Sequence, residues 1–219
     1  AVDHGVNLID TAEMYPVPPQ KKTFTRTEQI IGKWIQSRKC RQNIVLATKV
    51  VGPTVESRSI GGYIRDGINH LNRENIESAL EGSLRRLKTE TIDIYQIHWP
   101  ERIVNIFGQL EFEPPENEEI DNPKIPETLE VLENIRKDGK IRAYGVSNET
   151  PWGVMRYLSF SEKNGWEKVA SIQNPYNLLN RTFESGLAEI SFRESVGLLA
   201  YSPLAFGILT GKYIENKKP

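Results

Sequence analysis

An alternation constrains this chain more than any other feature. Short apolar runs at residues 7–10, 44–49, 91–98, 141–146, 170–173 and 197–202 are separated by stretches whose apolar residues recur at helical spacing. Ile30, Ile31, Trp34 and Ile35 mark a helix over residues 27–37. Ile76, Leu80, Leu84 and Leu87 follow Asn72, a residue suited to cap a helix. Pro126 suits a first helical turn, Leu129, Leu132 and Ile135 its stripe, and Gly139 its end. Residues 152–163 and 181–193 read as two further helices, and Gly5 as the C-cap of a helix ending over residues 1–4. Strand, helix, strand in regular succession implies a parallel sheet with right-handed crossovers. No internal repeat or low-complexity tract interrupts the pattern.

The chain has 219 residues, 38% hydrophobic and 26% charged, which fits one globular domain over residues 1–219. A net charge of −1 without a long basic stretch argues against nucleic acid or a membrane surface as partner. Lys217 and Lys218 read as a solvated end. No apolar run approaches the ~18 residues needed to span a bilayer. Cys40 is the only cysteine, so no internal disulfide can form, and a reducing, cytoplasmic setting is expected. Beside Lys39 and Arg41 that thiol could be reactive, but it reads as a bystander.

The connections are uneven. Three long ones, residues 16–26, 50–71 and 100–125, all leave strands, as function-bearing loops do at the C-terminal face of an α/β barrel. The third carries Glu111, Glu113, Glu116, Glu118, Glu119 and Asp121 and reads either as solvated surface or as a lid over a substrate pocket. At or just past successive strand ends stand Asp10, Tyr15, Lys49 and His98. Each has a plain structural reading alone: a turn carboxylate, a loop aromatic, a solvated ammonium, a structural imidazole. Together they suit proton transfer to a carbonyl oxygen. Tyr15 would be the acid, and Lys49 would lower its pKa. Asp10 would anchor Lys49, and His98 would orient the carbonyl.

At these residues the chain resembles the aldo-keto reductases. Gly5 to Tyr15 is similar to the family's first signature, and Thr48-Lys49-Val50 and His98-Trp99-Pro100 to the segments carrying its lysine and histidine. Gly145-Val146-Ser147-Asn148, Gln173-Asn174-Pro175-Tyr176 and Tyr201-Ser202-Pro203-Leu204 follow in the family's order, and residues 12–19 and 145–158 resemble its Tas-type branch. The resemblance implies a (β/α)8 TIM barrel that binds NADPH extended, with a small-molecule carbonyl as substrate and no metal. It implies that Ser147, Asn148 and Gln173 bind the nicotinamide carboxamide beside Asp10, and that Tyr201 stacks on the ring. Ser202, Leu204 and Gly207 would line the pyrophosphate path, and Trp99 the substrate pocket. The plainer reading beside this one is that Ser147-Asn148 caps a helix and Tyr201 is a core residue; given the resemblance, binding is favoured.

Two departures stand out. Residues 16–26 form a longer loop than many family members have, similar to the Tas-type branch. About six of the eight strands are expected, and six cannot close the barrel. On this reading the chain is a fragment truncated at both ends, of impaired stability and with little or no activity. NADPH-dependent reduction of an aldehyde or ketone to an alcohol is then expected of the parent protein; the alternative is a cofactor-binding regulatory module resembling potassium-channel β subunits.

Overall fold

The computed structural model describes residues 1–54, 60–107, 109, 111–114 and 124–214. Six strands pair in chain order, every pair parallel. They are β1 (Leu8–Asp10), β2 (Val45–Val50), β3 (Ile92–Ile97), β4 (Ile141–Ser147), β5 (Ser171–Pro175) and β6 (Gly197–Tyr201). The helices α1 (Arg26–Arg38), α2 (Arg73–Leu87), α3 (Ile125–Lys137), α4 (Pro151–Asn164) and α5 (Leu187–Glu194) follow β1 to β5 in turn. Each helix packs on the next, from α1 on α2 to α4 on α5. The result is a curled, open part of a (β/α)8 barrel; among the described residues β1 and β6 each pair along one edge only.

Capping chemistry fixes the helix starts. Asn72 Oδ1 accepts from the Asn75 amide at 3.0 Å to open α2. Thr150 does the same for α4, accepting from the Gly153 amide at 3.2 Å, with Pro151 in the first turn. The cap of α4 is therefore Thr150, and Ser147-Asn148 is free of that task. Residues 181–193 do not form one helix. A 3-10 turn at Thr182–Glu184 is cut off from α5 by Gly186, whose φ of 115° no helix accommodates. Residues 1–4 end in a single 3-10 turn, closed by Gly5 at φ 83° as expected. Ile30 is 60% exposed, so the buried face of α1 is Glu28, Gly32 and Ile35.

The sheet has two unlike faces, set by the two-residue period of strands. Leu46, Val50, Tyr95, Ile97, Tyr144, Val146 and Ile172 are buried in one apolar core with Ile76, Leu80, Leu129 and Leu132 of the helices. The opposite face carries Lys49, Gln96, Ser147 and Gln173. A polar clamp crosses the helix side: Glu28, fully buried, accepts from Thr48 Oγ1 and from Arg86 Nε, each at 2.6 Å. Of the acidic loop residues, Glu111 and Glu113 are exposed. Glu116, Glu118, Glu119 and Asp121 lie outside the described residues, as do Lys217 and Lys218.

Gly32 lets α1 meet α2. A Cβ there would stand 2.1 Å from the Arg86 carbonyl oxygen and 2.9 Å from Leu87 Cα. Gly32→Ala should lower the unfolding free energy by about 2 kcal/mol, the usual cost of overpacking. Gly62→Ala, whose Cβ would meet only a Thr54 methyl at 3.6 Å, is the control. Urea unfolding of both variants checks this, and equal midpoints would refute it.

Candidate active site

Groups from three neighbouring strand ends gather around one ammonium. Lys49, on the polar face of β2, is fully buried. Its Nζ donates to Asp10 Oδ2 at 2.6 Å and to the Thr11 carbonyl at 2.7 Å. The same nitrogen lies over the Tyr15 ring, 5.1 Å from its centroid. Tyr15 in turn meets the His98 imidazole edge to face, with centroids 5.6 Å apart and planes at 77°. The structure thus brings Asp10, Tyr15, Lys49 and His98 into one cluster.

Their electrostatics follow from burial. Burial pulls the Lys49 ammonium below its usual value, partly offset by Asp10. Burial, then the Lys49 charge, pushes His98 well below the ordinary imidazole range, so it is neutral near pH 7. Tyr15 moves the other way from the sequence expectation. Burial, then Asp10, then Tyr201 push it up to about 12. The ammonium stacks on the ring and is already paired with Asp10, so in the free site it does not overcome desolvation. Tyr15 is held as a phenol.

Beyond this cluster, Ser147 ends β4 and its Oγ donates to the Gln173 carbonyl at 2.8 Å. Asn148 follows at φ 51°. Its Nδ2 donates to the His98 carbonyl at 2.9 Å, and its Oδ1 accepts from Tyr201 Oη at 2.7 Å. Gln173 is buried on the same face. Ser202 has φ 54° and Leu204 is 53% exposed. Gly207 has φ 97°, and a Cβ on it would stand 2.8 Å from Lys212 Nζ.

A cavity of about 330 Å³ opens beside Asn148 and Tyr201, lined also by Phe107, Asn105, Phe183 and Leu187. Trp99 does not line this cavity. It is 2% exposed, its Nε1 donates to the Pro53 carbonyl at 2.8 Å, and its ring packs between those of His98 and Phe107.

Three further groups escaped the sequence reading. Gln96, on β3, donates from Nε2 to Asp10 Oδ1 at 3.1 Å. Its position two residues before His98, polar within an apolar run, was a readable signal. Glu13 accepts from the Val51 amide at 2.9 Å and from both terminal nitrogens of Arg65, at 2.8 and 3.0 Å. Glu149 holds Arg102 in the same forked manner and accepts from the Thr150 amide at 2.6 Å. Both pairs join residues far apart in sequence, which no local pattern announces. Among the described residues no group of His, Cys, Asp or Glu is placed to hold a metal ion, and no helix is long and apolar enough to cross a membrane.

The fold is a parallel α/β barrel segment with a lysine–aspartate pair, a phenol and an imidazole gathered at its strand ends. The Aldo/keto reductase family profile matches residues 1–219, and the chain belongs to that family. It is 48% identical to Protein tas of Escherichia coli over 219 residues, all of this chain and 62% of that protein. It is 33% identical to aldo-keto reductase YhdN of Bacillus subtilis, over 99% of this chain and 53% of that one. The structure matches an aldo/keto reductase from Klebsiella pneumoniae, solved with NADP and acetate, at a TM-score of 0.66 and 28% identity. That match covers 98% of this chain and 58% of the other. The chain therefore spans a little over half the length of the relatives it matches.

Two measurements probe the cluster. Glu13→Ala leaves the Arg65 guanidinium and the Val51 amide without their carboxylate, and should cost about 3 kcal/mol in urea unfolding, as broken buried pairs do. A loss under ~1 kcal/mol, the range of surface pairs, would show that the pair is not structural. Tyr15 ionises later in the folded chain than in the unfolded one. The stability it contributes is full below pH 10 and is lost as pH rises toward about 12. Stability should fall more steeply between pH 10 and about 12 in the wild type than in Tyr15→Phe. Equal slopes would mean that the phenol is not held.

Proposed function

We propose that this protein reduces an aldehyde or ketone to an alcohol with NADPH, and that residues 1–219 belong to a single barrel domain. The observation that carries this reading is the buried Lys49 ammonium, clamped by Asp10 beside a protonated Tyr15 and a neutral His98. NADP in the Klebsiella relative supports the choice of cofactor.

The residues present fit a nicotinamide dinucleotide. The Gln173 amide makes no side-chain hydrogen bond among the described residues and can take a carboxamide together with Ser147 and Asn148. Asn148 Oδ1 becomes available when Tyr201 Oη leaves it, which also frees the Tyr201 ring to stack. Ser202, Leu204 and the left-handed Gly207 would border the pyrophosphate, with the Lys212 ammonium nearby. Bound NADPH supplies the hydride.

The chain's own groups do the rest. Tyr15 gives its proton to the carbonyl oxygen as negative charge develops there. His98, neutral and fixed against Tyr15, orients that oxygen. Lys49 stabilises the phenolate left behind, and Asp10 keeps Lys49 charged and in place.

Titrating the protein with NADPH should quench tryptophan fluorescence saturably. Tyr15→Phe should keep that binding and lose at least ~100-fold in turnover of a test aldehyde, the usual scale of a lost general acid. Binding with turnover indifferent to Tyr15→Phe would instead leave a cofactor-binding module. Absence of binding would overturn the reading.

A further inference from the structure

The Asp10 carboxylate is the one group that touches the ammonium and can also turn away from it. A carboxylate at a strand end rotates about its side-chain bonds unless both oxygens are held. Oδ2 is taken by Lys49 at 2.6 Å. Oδ1 is taken by Gln96 Nε2 at 3.1 Å, from the neighbouring position on the same sheet face, where Gln96 pairs in register with Lys49. Gln96 is fully buried, so water cannot substitute for it.

Its amide orientation is fixed by charge, since only the N–H end can face a carboxylate. That choice leaves Gln96 Oε1 buried without a partner. Across Gly145, on the next strand but one, Ser171 Oγ is buried and equally without a partner. A Cβ on Gly145 would stand 2.5 Å from Ser171 Oγ and 3.4 Å from Gln96 Cγ. Glycine there leaves room for Ser171 and lets the Gln96 side chain lie in ordinary contact beside it.

We propose that Gln96 is a positioning residue: its amide locks the Asp10 carboxylate so that the Lys49 ammonium stays aligned with Tyr15. This rests on the roles proposed above for those three residues. The charged and titratable groups facing the Asp10–Lys49 pair are Tyr15 from the loop after β1 and His98 after β3, with Glu28 of α1 acting on Lys49 from behind β2 and Tyr201 of β6 acting on Tyr15.

Two variants and two readouts test it. Gln96→Met keeps the length and removes the donor. Gln96→Glu keeps the shape and sets a carboxylate against Asp10. Both should lower kcat roughly tenfold or more while KM and NADPH affinity stay within about threefold, the split expected when alignment alone is lost. In Gln96→Glu the added negative charge should move the Tyr15 ionisation to higher pH. It is read as the tyrosinate absorbance that Tyr15→Phe removes, and this readout needs no turnover. Wild-type kcat in Gln96→Met, or an unmoved Tyr15 ionisation in a folded Gln96→Glu, would overturn the proposal. So would parallel losses in kcat and NADPH affinity. A wild type without turnover whose Tyr15 ionisation still moves in Gln96→Glu would sink the carbonyl-reductase reading and leave the coupling of Gln96 to the cluster standing.

Discussion

The organisation of the polar face depends on one fully buried ammonium. A lysine nitrogen removed from water needs partners for its charge and its hydrogens, and Lys49 finds them in Asp10 and the Thr11 carbonyl. The consequences spread from there. Asp10 must be held, and Gln96 holds it. The imidazole nearby cannot also be charged, so His98 is neutral. The Tyr15 ring covers the ammonium and shares its dry surroundings. A face bearing these groups could not also be the hydrophobic core, which lies on the helix side of the sheet.

The strand pleat makes this division possible. Thr48 and Lys49 are neighbours in β2 yet serve opposite faces: Thr48 bonds Glu28 of α1, and Lys49 bonds Asp10 of β1. A slip of one residue would place the ammonium against the helices and the hydroxyl in the site. Parallel register with β1 and β3 prevents that slip. The Glu28–Arg86 pair and the close approach at Gly32 then hold α1 and α2 against the sheet. The loops that follow the strands are fastened separately, by Glu13 to Arg65 and by Glu149 to Arg102.

Elements set by local periodicity were legible in the sequence. All six strands and the helices after β1 to β4 fall within a few residues of their expected places, and Asp10, Lys49 and His98 sit at strand ends as read. Failures came where a contact between distant residues decides the outcome. Ile30 looks like part of an apolar face, but the rotation of α1 is set by Glu28 meeting Arg86. Gly186 breaks a helix that its neighbours alone would continue.

The direction of the Tyr15 shift is the most instructive departure. A phenol tuned toward neutrality would lose its proton in the empty site and arrive at the reaction spent. On the proposed reading, burial keeps the proton on Tyr15 until negative charge grows on a bound oxygen. Only then does an anionic partner make proton release favourable, with the resident ammonium beside the resulting phenolate. In that proposal the ammonium serves the state after transfer more than the state before it, as a preorganised charge that lowers a barrier without discharging the acid early. Tyr201 adds to the same end: it helps to raise Tyr15 and in the free site occupies Asn148 Oδ1. In the proposed function, its departure from Asn148 would couple carboxamide binding to the electrostatics of Tyr15.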